Sequence, residues 1–310
     1  MLLKAKREKP HWGPVKQRAR LAAAYPDRQF PAASTIGRIY ANEGLVSKRR
    51  ARPRSIPMRR LEQVVPSESG EMMSCDHKGW FRLGNRQYCY PLTIADPFSR
   101  YIYAIDALES TSTEQAKPVF ARVFREYGLP LYMLSDNGGP FCCSRALAGL
   151  TPLAVWWLKL GILLVRIRKA SPWENGIHER MHKTLKAETT RPPEKHWHDQ
   201  QKRFDAFRAE FNQERPHEAI GNRPPITIFA RSPRAYLESA AKQDPEYPAH
   251  FEMRRVRSGG EIKWKGRAVF LTESLAGEQV GLEEVDDGVW SIHFTNVELG
   301  RYDEKTRSLV

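Results

Sequence analysis

The sequence predicts an α/β fold with a mixed five-stranded sheet and its packed helices in the middle of the chain. Strand-like and helical runs follow one another between residues 71 and 188 in the order β-β-β-α-β-α-β-α. Short helical patterns with a strongly basic composition precede this region. Short alternating runs punctuated by glycine follow it, and they predict a small β-barrel of about 60 residues.

The composition excludes several classes of protein. Hydrophobic residues make up 41% of the 310 residues, which is enough for a sizeable core and too much for a disordered chain. No apolar run reaches the roughly 20 residues of a membrane span, and the N-terminus lacks the apolar stretch of a secretory signal. Four cysteines are too few for a disulfide scaffold. We therefore expect a cytoplasmic protein without a membrane partner.

The positive charge is concentrated at the N-terminus. The net charge is +14, and residues 1–60 hold 16 Lys and Arg against 3 acids, a net of +13. The other 250 residues hold 34 basic and 33 acidic groups, a net of +1. A basic arm before a nearly neutral body favours nucleic acid as a partner. The alternative is a solvated basic tail with no partner.

Two short helical patterns with a connecting loop occupy this arm. The first covers residues 13–25, and two prolines mark the loop at 25–31. Ser34 is predicted to cap the second helix, and Gly44 to end it. The pair suggests a helix-turn-helix in which the second helix presents Arg38 to DNA. The alternative is a basic helical pair with no such role.

A basic, proline-broken segment follows at 48–60 and begins with Lys48, Arg49 and Arg50. We expect an extended segment whose cations follow DNA phosphates or lie in a minor groove. A solvated linker between domains is the alternative.

The middle region contains the predicted sheet. Gly84-Asn85 joins two strand-like runs and indicates a hairpin. The predicted strands cover residues 71–83, 86–96, 100–106, 129–135 and 162–168, and the predicted helices cover 112–128, 153–161 and 176–188.

Three acids in this region are candidates for chemistry. Asp76 lies inside the first strand, where an unpaired carboxylate is costly, and Asp136 ends the fourth strand. Glu179 lies in the first turn of the last helix. Carboxylates that converge from separate elements suit Mg²⁺ and two-metal phosphoryl transfer. Taken singly, each has a structural explanation, because Asp136 could cap the Asn137-Gly138 turn and Glu179 could be a surface acid.

Several motifs in this order resemble the Asp-Asp-Glu core of retroviral integrases and their relatives, the transposases of bacterial insertion sequences. The motifs are "SCDHKGWF" (74–81), "SDNGGPF" (135–141) and "SPWENGIHERMHKTLKAE" (171–188), followed by "FNQERPHEAIGNRPPITIFA" (211–230). The resemblance implies a ribonuclease-H-like core and a DNA transposase that cleaves element ends and joins the 3′-hydroxyls to target DNA. It implies that Asp76, Asp136 and Glu179 are the catalytic residues and hold two Mg²⁺ (or Mn²⁺) ions.

The same resemblance sets the expected domains and partners. The domains are a basic helix-turn-helix and DNA-binding arm at 1–60, a catalytic core with its trailing helix at 61–235, and the small β-barrel at 249–310. The partners are DNA, as the element's terminal inverted repeats and the target, and further copies of the chain in an oligomer on DNA. The compartment is the bacterial cytoplasm, with association with the nucleoid. The alternative function is a noncatalytic DNA-binding protein derived from a transposase.

The helix at 176–188 carries two further patterns. Glu179, Lys183 and Lys186 share one face, so the lysines could hold DNA phosphates beside the carboxylate, or form only a surface ion pair. His178 and His182 flank Glu179 in the letters of the H-E-x-x-H zinc-protease motif. No convincing third zinc ligand lies nearby in sequence, so we interpret this match as a coincidence. In the preceding loop, Trp173 could stack on a DNA base or pack against protein.

Overall fold

The structure is a computed structural model that describes residues 1–46, 64–143, 146–166 and 176–309. Two predicted segments therefore lie outside the described residues, namely 48–60 with Lys48, Arg49 and Arg50, and the loop with Trp173.

The central sheet is mixed and lies between two layers of helices. Its path is β2-β3-β1-β5-β6, with β4 on the other edge of β3. β1 is antiparallel to β3 and parallel to β5. The strands are β1 (Met72–His77), β2 (Phe81–Arg82), β3 (Tyr88–Ala95), β4 (Ile102–Leu108), β5 (Tyr132–Ser135) and β6 (Leu163–Arg166), and the helices are α4 (Thr113–Tyr127), α5 (Pro152–Lys159), α6 (Gly176–Thr189) and α7 (Trp197–Gln213).

Alternation along the strands divides the core between the two faces of the sheet. On one face, Met73, Cys75 and Leu92 pack in the cluster that contains α4 and α5 residues. The opposite face packs against α6 and α7 through a cluster that includes Met181, Leu185 and three phenylalanines of α7. Ser74, Asp76 and Thr93 alternate with the first group and therefore face α6.

The predicted order of strands and helices is confirmed, with one difference. The sheet has six strands instead of five because the run at 71–83 bends after His77 and contributes the separate short strand β2. The hairpin at Gly84-Asn85 is present between β2 and β3. Its left-handed residue is Arg86 at φ 69°, whereas a Cβ on Gly84 would lie 3.1 Å from the Cα of Lys195. This glycine therefore permits close packing instead of a tight turn.

The N-terminal part contains three helices, α1 (Leu2–Glu8), α2 (Pro14–Ala24) and α3 (Ala33–Asn42). The second and third match the predicted pair, and α1 had no prediction. The predicted Ser34 cap is wrong, because α3 begins at Ala33 after the cap residue Ala32. A helix-turn-helix geometry for this pair stays a prediction.

The N-terminal part of the chain packs on α7 and on the residues that follow it. Trp12 is 1% exposed, and the guanidinium of Arg215 lies 5.7 Å from the centre of its ring. Lys9 forms an ion pair with Glu210 of α7. Arg215 also pairs with Glu188 of α6 at 3.1 Å, and both side chains are largely buried. These contacts connect the N-terminal part of the chain to α6 and α7, which cover one face of the sheet.

The C-terminal part consists of two antiparallel sheets that share one hydrophobic cluster. Their strands are β7 (Glu252–Arg255), β8 (Glu261–Trp264), β9 (Arg267–Phe270), β10 (Gln279–Asp286), β11 (Val289–Phe294), β12 (Val297–Asp303) and β13 (Ser308–Leu309). Ala154, Val155 and Leu158 of α5 join this cluster, and Lys159 pairs with Glu278 at 2.7 Å. The β-pattern is confirmed, while closure into a barrel and the domain limits at 60, 235 and 249 stay predictions.

Among the described residues, no helix combines the length and the apolar composition that crossing a membrane requires.

Candidate active site

Strand pairing brings Asp76 and Asp136 together at the ends of two neighbouring strands. In the parallel register of β1 and β5, Cys75 is paired with Ser135, and each aspartate is the next residue. Paired residues of parallel strands point to the same face and lie about 4.8 Å apart. Burial raises the pKa of the Cys75 thiol, and the negative charges of Asp76 and Asp136 raise it further. Both carboxylates therefore lie near this thiol.

The turn after β5 orients the second carboxylate. The backbone N–H of Gly138 donates to Oδ1 of Asp136 at 3.1 Å. The predicted capping role of Asp136 is therefore present. A Cβ on Gly138 would lie 3.1 Å from Oδ2 of the same carboxylate, so the absence of a side chain here leaves room for the carboxylate.

Two histidines hold α6 against the sheet. Nε2 of His182 lies 2.7 Å from the hydroxyl oxygen of Thr93, and Nδ1 of His178 lies 3.3 Å from the same atom. Nε2 of His178 lies 2.8 Å from the hydroxyl of Ser74. Thr93 also donates to the backbone carbonyl of Asp76 at 2.9 Å. The hydroxyl of Thr93 thus connects the strand that carries Asp76 with the helix that carries Glu179.

Both imidazoles are neutral at physiological pH. Burial lowers the pKa of His178 to about 4. Burial, followed by the charges of His178 and Lys78, lowers the pKa of His182 to about 2. Nδ1 of His182 lies 3.8 Å from Oδ2 of Asp76, which is too long for a hydrogen bond. Because His182 is uncharged, this contact is not an ion pair.

A third possible metal ligand accompanies the two histidines. One ligand atom from each of Asp76, His178 and His182 lies within 4.8 Å of the others. The sequence indicated no such third ligand, because Asp76 is about 100 residues away along the chain. Neither Asp136 nor Glu179 belongs to this group of described residues. The strand register places Asp136 near Asp76, whereas Glu179 lies on α6 with His178 and His182.

Glu179 and the two lysines occupy an exposed face of α6. At 100° per residue, Glu179 lies about 60° around the helix from His182, and Lys183 and Lys186 lie within about 40° of Glu179. This face therefore borders the one that contacts the sheet.

Lys78 is a site residue that the sequence analysis missed. Burial and the charge of Lys186 lower the pKa of Lys78, whereas the charge of Asp76 raises it. The ammonium of Lys78 therefore lies within electrostatic range of both residues. It lies two residues after Asp76, at the same end of the sheet. The sequence does show that Lys78 directly follows the first strand. That Lys186 of α6 lies near it depends on the tertiary structure.

Arg38 is exposed on α3, as DNA contact requires, and the structure gives no further test of its role.

Comparisons with known proteins match two parts of this chain. A profile of the integrase core domain matches residues 160–225, and one of the C-terminal domain of IS481 family transposases matches residues 251–309. Two parts of this chain are thus similar to an integrase core domain and to the C-terminal domain of IS481 family transposases. The core match contains Glu179, Lys183 and Lys186, whereas Asp76 and Asp136 precede it. It also contains the H-E-R-M-H letters, which agrees with their interpretation as part of an integrase-like helix.

A curated relative and several solved structures are similar to this chain. An uncharacterized 31.7 kDa protein of insertion element IS407 from Burkholderia multivorans is 26% identical over 211 residues, covering 66% of this chain and 72% of that protein. The HTLV-2 integrase catalytic core in complex with magnesium has a TM-score of 0.38 and 12% identity, covering 52% of this chain and 97% of that one. The simian T-cell lymphotropic virus intasome with the PP2A regulatory subunit B56 gamma has a TM-score of 0.42 and 12% identity, covering 99% and 98%.

Replacing Thr93 by valine should weaken the attachment of α6 to the sheet. The substitution keeps the shape and removes the hydroxyl that contacts both histidines, so buried ring nitrogens lose a partner. We expect the free energy of unfolding to fall by about 1–3 kcal/mol, measured by urea denaturation. Thr184→Val is the matched control on α6, since its hydroxyl donates only to the carbonyl of Arg180, and it should change stability by less than about 0.5 kcal/mol. Equal stabilities of the two variants would contradict the role given to Thr93.

Proposed function

We propose that this protein is a DNA transposase that cleaves at the ends of its insertion sequence and joins the freed 3′-hydroxyls to target DNA. The observation that supports this most is the pair of aspartates at the ends of adjacent parallel strands, Asp76 and Asp136, beneath a helix that carries Glu179. Two carboxylates in this position can share divalent cations, and phosphodiester chemistry requires such cations more often than covalent help from the protein.

The donor set fits Mg²⁺ or Mn²⁺, because both ions accept carboxylate oxygens. We assign Asp76, Asp136 and Glu179 as the residues that would hold two such ions. When bound, the ions would supply charge stabilisation for the attacking and leaving oxygens of an in-line displacement. Asp136 is held for this task by the Gly138 N–H, and the backbone at Asp76 is held by Thr93.

Cations beside the carboxylates would bind the DNA backbone. Lys78 lies in the electrostatic range of Lys186 and Asp76, and Lys183 is exposed on the same face of α6. Ammonium groups there can contact the phosphates on either side of the reacting one. The N-terminal arm, with a charge of +13 over residues 1–60, would bind the terminal repeats through a helix-turn-helix that includes Arg38 and through Lys48, Arg49 and Arg50.

Two DNA ends must be held together during transposition, so we propose that the chain acts as an oligomer on DNA. The C-terminal sheets, as a small β-barrel, would supply contacts with DNA or with a second copy.

Removal of any one carboxylate should abolish strand transfer. Asp76→Asn, Asp136→Asn and Glu179→Gln each keep the shape and remove an anionic oxygen ligand. We expect binding to terminal-repeat DNA to stay within about twofold of the parent and strand-transfer product to fall below about 1%. A strand-transfer assay on labelled element ends measures the product. Glu214→Gln removes the same charge from an exposed position at the end of α7 and should retain full activity.

Metal removal provides the second arm of this test. EDTA should stop the parent enzyme and added Mg²⁺ should restore it, whereas a noncatalytic DNA-binding protein would bind ends without forming product in either condition. Near-normal strand transfer by one of the carboxylate variants would remove that residue from the site.

A methyl group on Gly138 should displace the carboxylate of Asp136. The added Cβ lies 3.1 Å from Oδ2, so the carboxylate must move by a few tenths of an ångström. We expect Gly138→Ala to lower the strand-transfer rate by about tenfold or more, since small misplacements of catalytic groups are costly. Gly139→Ala is the neighbouring control, because its Cβ meets nothing within 4 Å. Comparable rates in the two variants would show that the carboxylate of Asp136 is not held in a critical position.

Loss of the α6 lysines should affect DNA binding more than chemistry. The double variant Lys183→Ala/Lys186→Ala leaves the carboxylates in place and removes two proposed phosphate contacts. We expect the slope of log affinity against log salt to become shallower by about 2, and the rate to recover at high DNA concentration. Fluorescence anisotropy at several salt concentrations measures the slope.

The control for this variant is Lys202→Ala on α7, an exposed lysine paired with Asp199. It removes a charge from a helix surface away from the carboxylates and should leave the slope unchanged. If the α6 double variant also keeps the parent slope, Lys183 and Lys186 are surface charges without a DNA contact.

A further inference from the structure

An exposed aromatic surface lies directly beyond the strand that carries Asp76. Trp80 is 61% exposed, although tryptophan is highly buried on average, and Tyr88 is 40% exposed. Their rings are in edge-to-face contact, with centroids 5.1 Å apart. We call these two residues, together with Arg82, the hairpin surface.

The hairpin of β2 and β3 holds these side chains on its solvated face. Phe81 and Cys89 are paired across the two strands and pack in the cluster that contains the phenylalanines of α7. The next pair, Arg82 and Tyr88, therefore points to the other face of the hairpin, and both residues are exposed. The guanidinium of Arg82 lies 4.9 Å from the centre of the Tyr88 ring and donates to its hydroxyl at 2.7 Å. A cation and an aromatic ring are thus held together in contact with solvent.

The hairpin is tied to the segment before α7. The backbone N–H of Gly84 donates to the carbonyl of Glu194 at 2.9 Å. The indole N–H of Trp197 donates to the side-chain oxygen of Gln87 at 2.9 Å. A surface that is already held in this way loses little freedom when a ligand binds to it, so its contacts contribute more fully to affinity.

The charge of this segment is complementary to a polyanion. Residues 77–95 contain Lys78, Arg82 and Arg86 and no Asp or Glu. Exposed aromatic rings among cations are the combination that binds single-stranded nucleic acid, because the rings stack on bases and the cations contact phosphates. Stacking also tolerates any base sequence, since every base has a π-face.

We propose that the hairpin surface binds unpaired nucleotides of the DNA strand next to the carboxylates, with Trp80 stacked on a base. Trp80 follows Asp76 by four residues, so their Cα atoms are at most about 14 Å apart. For a strand whose reacting phosphate lies at Asp76, this distance corresponds to about four nucleotides at the spacing of a duplex strand. The inference rests on the proposed function for the identity of the partner, and it adds that the DNA end is bound partly unpaired.

The test measures the affinity that an unpaired tail adds to a duplex. The probes are a blunt duplex of about 20 base pairs and the same duplex with a tail of about five thymidines, labelled for fluorescence anisotropy with the full chain. Both probes offer the basic arm the same duplex, so the ratio of the two affinities reports on the tail. We expect the parent protein to bind the tailed duplex at least about fivefold more tightly.

Two substitutions of Trp80 separate stacking from charge. Trp80→Ala should remove the preference for the tail, whereas Trp80→Phe keeps an aromatic face and should retain the preference within about twofold. Stacking releases no counterions, so the slope of log affinity against log salt should be the same in Trp80→Ala and in the parent. Phe98→Ala is the matched control, since Phe98 is 38% exposed and follows the opposite end of β3, and it should leave the preference unchanged.

The parent protein is itself a test that does not depend on the folding of a variant. Absence of a tail preference in the parent, or an equal preference in Trp80→Ala and Phe98→Ala, would overturn the inference. A changed oligomeric state of Trp80→Ala in sedimentation, with the preference kept, would assign the surface to a second copy of the chain and also overturn it.

These measurements need neither metal nor strand transfer, so they fail or succeed separately from the tests of the carboxylates. Loss of the tail preference in Trp80→Ala, together with near-normal strand transfer by Asp136→Asn, would keep the hairpin surface and remove that carboxylate from the site. The opposite pair of results would leave the proposed function standing without this surface.

Discussion

The parallel pairing of β1 with β5 is the constraint on which the candidate site depends. It aligns Cys75 with Ser135, so the residues that follow, Asp76 and Asp136, leave the sheet side by side. A shift of one residue in this register would turn one carboxylate to the opposite face, into the cluster of α4 and α5 side chains. The buried residues Met73 and Met133, which are partners in the same register and both 0% exposed, oppose such a shift.

A second constraint is the attachment of α6 to the sheet through Thr93. The hydroxyl of this β3 residue contacts the backbone carbonyl of Asp76 and one ring nitrogen of each histidine. These contacts fix the rotation of α6 about its axis and its position along the sheet. Buried polar groups are costly without hydrogen-bond partners, and the Thr93 hydroxyl lies within hydrogen-bond distance of a ring nitrogen of each histidine.

Most of the excess positive charge of the protein lies in its N-terminal arm. Lys78 lies within electrostatic range of Asp76 and Lys186, whereas the arm packs on α7 through Lys9 and on Arg215 through Trp12. The bulk of the body is nearly neutral, so this distribution does not merely reflect composition.

The sequence by itself determined the order of strands and helices in the core, the basic arm, and the identity of the candidate carboxylates. These features are local, because hydrophobic periodicity, turn residues and charge are read within a few neighbouring positions. The tertiary structure decided what depends on contacts between distant residues. It placed Asp76 beside His178 and His182 about 100 residues away, brought Lys78 near Lys186, and gave Gly84 a packing role against Lys195. It also bent the first predicted strand into β1 and β2 and placed the start of α3 at Ala33, because packing outweighs single-residue signals such as a serine cap.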